Sequence, residues 1–285
     1  MSHAGAGMLT ADLARHPQLC RPAGQPAGYF HPLRYGRPVD VHPHDYDRHF
    51  TGWSGQRYRL ETSPDYFDGG RLMAQALSAV LPDVRVILLL RDPAHRLWTS
   101  YADKLARGRL PAAITFDTFV DRCLALRANG ADRFEGNRHF RVLSSGFYIE
   151  YVPSWLDVFG DRLRVVFTED LQEDPAAGVR ALFEWLRLDP AQAVPPPDAD
   201  DPAEGYPAPE APTPAGRRFW PAMPRRSGGR RLPEAAGMSP RAPRQSERAR
   251  ARTRALYAGA NQELAGLLQE GGLTALPGWL AASEV

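Results

Sequence analysis

The sequence predicts an α/β protein with an open parallel sheet flanked by helices, and three segments support this prediction. Residues 84–90 form a nearly unbroken apolar run, which is typical of a strand buried on both faces of a parallel sheet. Residues 162–168 have the same character and predict a second buried strand. Residues 69–81 carry apolar side chains at helical spacing, which indicates a core-facing helix leading into the first strand. This alternation favours right-handed parallel connections.

Length and composition set the scale of the fold. The 285 residues, 43% of them hydrophobic, are enough for one sizeable core and predict a single domain over residues 1–285. The net charge of +2 gives no indication of a nucleic-acid partner. The apolar runs are too short to span a membrane, and no signal segment opens the chain. Two cysteines, Cys20 and Cys123, predict reduced thiols and a cytoplasmic location, with a single disulfide as the alternative.

The turn after the first buried strand is a candidate anion site. Arg91 lies at the carboxyl end of that strand, where ligands bind in open α/β sheets. Pro93 is placed to begin a helix, and free N–H groups at a helix N-terminus beside an arginine favour an anion. Thr99 offers a hydroxyl further along the same helix. The alternative is that Arg91 only pairs with Asp92 or with a surface carboxylate.

A second candidate residue lies at the end of a shorter strand. Residues 58–61 predict this strand, and Pro64 ends it. Glu61 is then at a strand end, as Arg91 is in the next strand. The alternative is a surface carboxylate that pairs with Arg57 or Arg59.

The first 17 residues combine small side chains, including Gly5 and Gly7, with a helix-like stretch that ends before His16 and Pro17. Glycine-rich turns before helices can cradle phosphate because backbone N–H groups approach closely. A frayed terminus of small residues is the alternative.

A group of potential metal ligands, His42, His44, Asp45 and His49, lies in the loop-rich part of the chain before residue 57. A metal site normally needs a second group of ligands at tight spacing, and the sequence offers none. We therefore predict no metal.

Residues 190–245 change sharply in composition and predict a long loop rich in proline and glycine rather than a second domain. Within it, Trp220 precedes a basic, glycine-rich run at residues 225–231. Such a run beside a tryptophan can hold a phosphate and stack a base, or it can be a solvated basic loop. Residues 246–271 then predict a helix, with Leu256, Ala260, Leu264 and Leu267 on one face.

The succession of these motifs resembles the sulfotransferases that use 3′-phosphoadenylyl sulfate (PAPS), and most closely the N-sulfotransferase domains that act on heparan sulfate. Residues 90–101, Leu-Arg-Asp-Pro followed by Arg, Thr-Ser and Tyr, resemble the 3′-phosphate-binding segment. Residues 61–67 resemble the Glu-Lys-Ser-x-x-Tyr-Phe segment that contains the catalytic base. The resemblance implies that Arg91 and Thr99 bind the 3′-phosphate and that Glu61 is the base.

The same resemblance implies further contacts to the donor. Gly5 and Gly7 fall in the loop that holds the 5′-phosphosulfate, although His3 replaces its lysine and the strand before it is missing or truncated in this P-loop-type sheet. Trp220 corresponds to the tryptophan near the adenine. Donor phosphates would be bound by three residues of the basic run: Ser227, Gly229 and Arg230.

These expectations combine into one functional hypothesis and two alternatives. We expect a bacterial-type, PAPS-dependent sulfotransferase that transfers a sulfuryl group to a hydroxyl or amine of a carbohydrate or small molecule. PAPS is then the only co-substrate, with no metal, no nucleic acid and no membrane involved, and the oligomeric state stays open. One alternative is a catalytically impaired protein of the same fold that binds nucleotide or glycan. A P-loop kinase is disfavoured because the Gly-x-x-x-x-Gly-Lys-Ser/Thr motif is absent.

Overall fold

Two pairs of parallel strands form the β structure of the described residues. The computed structural model describes residues 4–22, 28–37, 39, 46–63, 65–194 and 245–281. Strand β1 (Leu19–Cys20) pairs with β2 (Tyr58–Arg59), and β3 (Val86–Leu90) pairs with β4 (Leu163–Phe167). Both buried strands expected from the apolar runs are therefore present and parallel. The residues described ahead of the first helix are Ala4 and Gly5, so the expected loss of a first strand stays a prediction.

The helices follow the expected alternation with the strands. Within the described residues they are α1 (Ala6–Leu13), α2 (Gly70–Val80), α3 (Pro93–Ala106), α4 (Phe116–Ala128), α5 (Val152–Phe159), α6 (Thr168–Glu173), α7 (Pro175–Trp185) and α8 (Glu247–Glu270). Proline begins α3 and α7, where a missing N–H has no cost. Asp92 and Asp174 cap these two helices through their carboxylates, which fixes where each helix starts.

Strand β3 is buried on both faces because successive side chains point to opposite sides. Leu89 packs in a cluster with residues of α1 and α7. Leu88 and Leu90 pack in another cluster with residues of α2 and α5. Val86 and Ile87, at the start of the strand, are only half buried and line a cavity. The alternation confirms that the strand has a helical layer on each side.

The last helix, α8, buries the expected face only in part. Of the predicted residues, Leu264 is buried, and Leu256 and Leu267 are partly buried against the core. The other buried residues of the helix were not on the predicted face: Ala249, Thr253, Tyr257 and Leu268. Tyr257 is fully buried, and its Oη donates to the carbonyl of Leu143 at 3.0 Å. A Cβ at Gly146 would lie 2.8 Å from the ring of Tyr257, so only glycine allows this close approach. Alanine and leucine occur around much of α8, and spacing alone therefore did not identify the buried face.

Two further expectations concern the thiols and the membrane. Cys20 and Cys123 are both buried and free. Within the part of the chain that the structure describes, no helix has both the length and the apolar character needed to cross a membrane.

Candidate active site

The turn after β3 is held by three contacts from other segments. The Thr168 hydroxyl donates to the carbonyl of Leu90 at 2.9 Å. The Tyr148 Oη donates to the carbonyl of Arg91 at 2.8 Å, and the Asp92 N–H donates to Glu169 Oε1 at 2.9 Å. Backbone groups on each side of Arg91 are thus fixed, which gives this arginine a defined position at the carboxyl edge of the sheet.

The N-terminus of α3 has fewer free N–H groups than the sequence suggested. The Asp92 carboxylate accepts from the N–H of Ala94 at 2.8 Å and from that of His95 at 3.4 Å. Pro93 has no N–H to offer. An anion at this edge must therefore be bound mainly by side chains rather than by the first turn of the helix.

Three polar side chains lie close together at the start of α3. Arg91 precedes the helix, while His95 and Thr99 lie within it, four residues apart on one face. The Arg91 Nη2 lies 3.2 Å from Nε2 and 3.3 Å from Nδ1 of His95, and the Thr99 Oγ1 donates to the carbonyl of His95 at 2.9 Å. His95 was not among the residues predicted from the sequence, although its position midway between the two predicted ligands was a usable signal.

The charge state of His95 depends on its surroundings. Burial and then the positive charge of Arg91 lower its pKa, and Arg250 of α8 acts in the same direction. Asp92 and Glu169 oppose this shift. The imidazole is therefore neutral near pH 7, which suits its contact with a guanidinium.

The glycine stretch before α1 reaches the same edge of the sheet. The Thr168 hydroxyl that bonds Leu90 also donates to the carbonyl of Ala4 at 2.7 Å. Gly5 has a φ of +80°, in the left-handed region that favours glycine, and immediately precedes α1. Gly7 is exposed in the first turn, and no described side chain caps the helix. The structure thus brings Gly5 and Arg91 to one edge.

The carboxylate of Glu61 is surrounded by hydroxyl donors. Oε1 accepts from the hydroxyls of Ser63 and Tyr66, the latter at 2.9 Å. Oε2 accepts from the Tyr46 hydroxyl at 2.7 Å. Burial, together with the charge of Glu61, raises the pKa of Tyr46 and of Tyr66, so both phenols stay protonated.

The expected alternative for Glu61, an ion pair with a neighbouring arginine, is wrong. Arg59 pairs with Asp47, and Arg57 donates to the carbonyl of Arg187 at 3.0 Å. Both guanidiniums are directed to other partners, so the carboxylate is bound by neutral groups.

Helix α1 connects the two candidate regions. Its Thr10 hydroxyl lies 2.6 Å from that of Thr62, the residue after Glu61. A cavity of about 220 Å³ lies between the two strand pairs, and Glu61, Thr10 and Ile87 are among its lining residues. Gly5 lies at the other end of α1, so one helix joins the edge that carries Arg91 to the cavity that carries Glu61.

Several predicted residues lie outside the described residues. They are the four donor residues of the long loop, Trp220, Ser227, Gly229 and Arg230, and three members of the histidine cluster, His42, His44 and Asp45. The fourth, His49, packs edge-on against Tyr29 at 6.4 Å between ring centroids. Among the described residues, no group of three or more potential ligands could hold a metal ion. The donor contacts of the loop remain predictions.

Part of the chain is similar to a known class of domain. Residues 59–195, just under half of the chain, match the family model described as "Sulfotransferase domain". The match includes Glu61, Arg91 and Thr99 but begins after Gly5 and Gly7.

Curated relatives of the matched segment include two heparan sulfate sulfotransferases with different names. The bifunctional heparan sulfate N-deacetylase/N-sulfotransferase 1 of Caenorhabditis elegans is 27% identical over 136 residues, which cover 47% of this chain and 15% of the relative. The heparan sulfate glucosamine 3-O-sulfotransferase 3B1 of Mus musculus is 26% identical over 165 residues, which cover 53% of this chain and 40% of the relative. The chain thus spans a minor part of these relatives.

A solved structure extends the likeness of fold beyond the sulfotransferase domain match. The crystal structure of a sulfotransferase from Alicyclobacillus acidocaldarius superposes with a TM-score of 0.66 over 98% of this chain and 95% of the other. The sequence identity is 19%, so this likeness concerns the fold. It agrees with the α/β class expected from the sequence.

Proposed function

We propose that the protein transfers a sulfuryl group from PAPS to an amine or hydroxyl of a carbohydrate. One observation carries the proposal: the segment that matches the sulfotransferase domain contains both a carboxylate beside a cavity and a fixed arginine at the sheet edge. Heparan sulfate appears in the names of both relatives described above, which supports a carbohydrate acceptor.

Glu61 would act as the general base of this reaction. The acceptor nitrogen or oxygen attacks sulfur, and the bond from sulfur to the phosphate oxygen of the donor breaks. The acceptor proton passes to the Glu61 carboxylate, and the leaving phosphate keeps the electron pair of the broken bond. General base catalysis typically contributes ~10²–10⁴-fold to the rate.

Arg91 and Thr99 would bind the 3′-phosphate of the donor, and the N–H groups at the start of α1 would bind the phosphosulfate. A guanidinium forms strong charge-assisted hydrogen bonds with phosphate. The N–H groups at the start of α1 are not capped by any described side chain, and such a helix N-terminus can bind a second anion. The shared contact of Thr168 to Ala4 and Leu90 supports this arrangement because it ties the two anion sites together.

Transfer of labelled sulfate from PAPS to a panel of glycans tests the proposal. We expect Glu61→Gln to lower kcat by ~10²-fold or more, while the affinity for 3′-phosphoadenosine 5′-phosphate, measured by calorimetry, stays the same. Glu263→Gln, an exposed carboxylate on α8, is the matched control. Full activity of Glu61→Gln would exclude Glu61 as the base.

A second candidate function is nucleotide binding without transfer. The glycine stretch favours it, because Ala4, Ala6 and Gly7 offer no side-chain donor near the start of α1. The same two measurements separate the candidates: binding of the nucleotide without any labelled product would support the second.

A further inference from the structure

The hydroxyl groups around Glu61 form a network that reaches a separate loop. The Ser63 hydroxyl, which donates to Glu61, accepts from the N–H of Gly28 at 3.2 Å. The Tyr66 hydroxyl, which also donates to Glu61, accepts from the N–H of Phe30 at 3.0 Å. Two backbone groups of residues 28–30 are therefore connected to the carboxylate through one hydroxyl each.

We propose that Tyr46 and Tyr66 are positioning residues, which hold the Glu61 carboxylate so that one acceptor position on Oε2 faces an incoming acceptor group. This inference rests on the proposed role of Glu61 as the base. It assigns a role to two tyrosines that have no part in donor binding.

The number of hydrogen bonds that the Glu61 carboxylate can accept supports this assignment. An ionised carboxylate offers about four lone-pair positions, two on each oxygen. Ser63 and Tyr66 use both positions on Oε1, and Tyr46 uses one on Oε2. Counting only donors from the described residues, one position on Oε2 is left for the proton of the attacking group. The arrangement therefore selects both the oxygen that reacts and its direction.

Burial of Tyr46 and Tyr66 protects their hydrogen bonds to Glu61 from competition with water. Tyr46 is 6% exposed and Tyr66 is 8% exposed, so water competes little for either hydroxyl. Their rings pack against Phe30, with centroids at 6.0 and 5.8 Å, which restrains both side chains. Because the Tyr66 hydroxyl accepts from Phe30 N–H, its own hydrogen is directed to Glu61. Chains of this kind strengthen each bond in a low-dielectric environment.

Kinetics of phenylalanine variants test the positioning role. We expect Tyr46→Phe and Tyr66→Phe each to lower kcat by ~10–100-fold, because small errors in placing a reacting group are costly, and to leave KM for PAPS within about twofold. Tyr58→Phe is the control: Tyr58 lies in β2 near Glu61, but its hydroxyl donates to the carbonyl of Leu186. A merely structural role would change kcat and KM together.

Repeating the tyrosine variants in a Glu61→Ala background shows whether the effect passes through the carboxylate. We expect no further loss of the residual rate in that background. An equal loss in both backgrounds, or an unchanged kcat in the single variants, would overturn the proposal.

Urea unfolding supplies a readout that needs no activity. If the contacts exist, the shifts in midpoint caused by Tyr46→Phe and Glu61→Ala are non-additive in the double variant. Additive shifts would overturn the network. If the unmodified protein transfers no sulfate to any acceptor, the proposed function fails, while the unfolding cycle still decides whether the network exists.

Discussion

The N-termini of α1 and α3 lie at the same edge of the β3–β4 pair, but their first turns differ. Asp92 accepts from the N–H of Ala94 and of His95 at α3, whereas no described side chain caps α1, which follows Gly5. An anion at α3 must therefore be held by side chains, and an anion at α1 by backbone N–H groups. One candidate anion site is therefore visible in the sequence as charged residues, whereas the other is visible only as small residues.

Replacing Arg91 should have the largest effect on nucleotide binding, because Asp92 already occupies the first N–H groups of α3. We expect Arg91→Ala to weaken binding of 3′-phosphoadenosine 5′-phosphate by ~1.5–3 kcal/mol, the usual contribution of a hydrogen bond to a charged group. Calorimetry measures the loss. Arg71→Ala, which removes an exposed arginine paired with Asp157, is the control and should bind normally. Equal affinity of the two variants would contradict a side-chain site at α3.

Gly5 precedes α1 and Gly7 lies in its first turn. Substituting each by alanine distinguishes the cost of a left-handed backbone conformation from the gain in helix propensity. Gly5→Ala should destabilise the fold by ~1–2 kcal/mol because its φ of +80° is costly for alanine, and a new Cβ would make only ordinary contacts, the nearest at 3.5 Å. Gly7→Ala has open space and should be neutral or stabilise by up to ~1 kcal/mol. Chemical denaturation measures both variants. A stable Gly5→Ala would contradict the conformation of this turn.

Removing the Asp92 cap of α3 should have a smaller effect, which is on the stability of the fold. Asp92→Ala should cost ~1 kcal/mol of unfolding free energy, the usual value of such a cap, and Asp92→Asn should recover most of it. Thermal or urea unfolding measures both. If Asp92→Ala is as stable as the unmodified protein, the N–H groups of α3 do not depend on this carboxylate, and the contrast with α1 is lost.

The smallest predicted effect is on the pH dependence of nucleotide binding. The pKa of His95 is lowered by burial and by Arg91, so the free protein holds a neutral imidazole near pH 7. A phosphate beside it favours the charged form, so binding takes up a proton and strengthens as the pH falls from neutral into the acidic range. Calorimetry across this range should show a change of ~2–5-fold that His95→Gln reduces. The phosphates of the nucleotide also titrate, but this contribution is the same for the unmodified protein and for His95→Gln. An identical pH dependence in the variant would exclude His95.

The strand–turn–helix around Arg91 could be predicted because its signals are local. The apolar run ends immediately before Arg91, and Pro93 marks the helix start that the structure has. The contact that fixes the turn could not be predicted, because Tyr148 lies 57 residues further along the chain. Asp92 could have been recognised as a cap from its position before Pro93.

The surroundings of Glu61 could not be predicted for a different reason. The observed strand β2 has only two residues, so its pattern does not show which way a following side chain points. The nearby arginines were expected as partners from distance along the sequence alone. The actual donors include Tyr46, which the fold of the intervening loop brings to the carboxylate.

The close packing of Tyr257 over Gly146 also has a consequence for synthesis on the ribosome. Tyr257 and its cluster supply part of the core beneath α3, and residue 257 emerges long after the strands and the Arg91 turn. A nascent chain that has emerged only as far as residue 194 lacks this ring and leaves the space over Gly146 open. Native packing of this layer, and with it the support beneath Arg91, must therefore wait until residue 257 has left the ribosome.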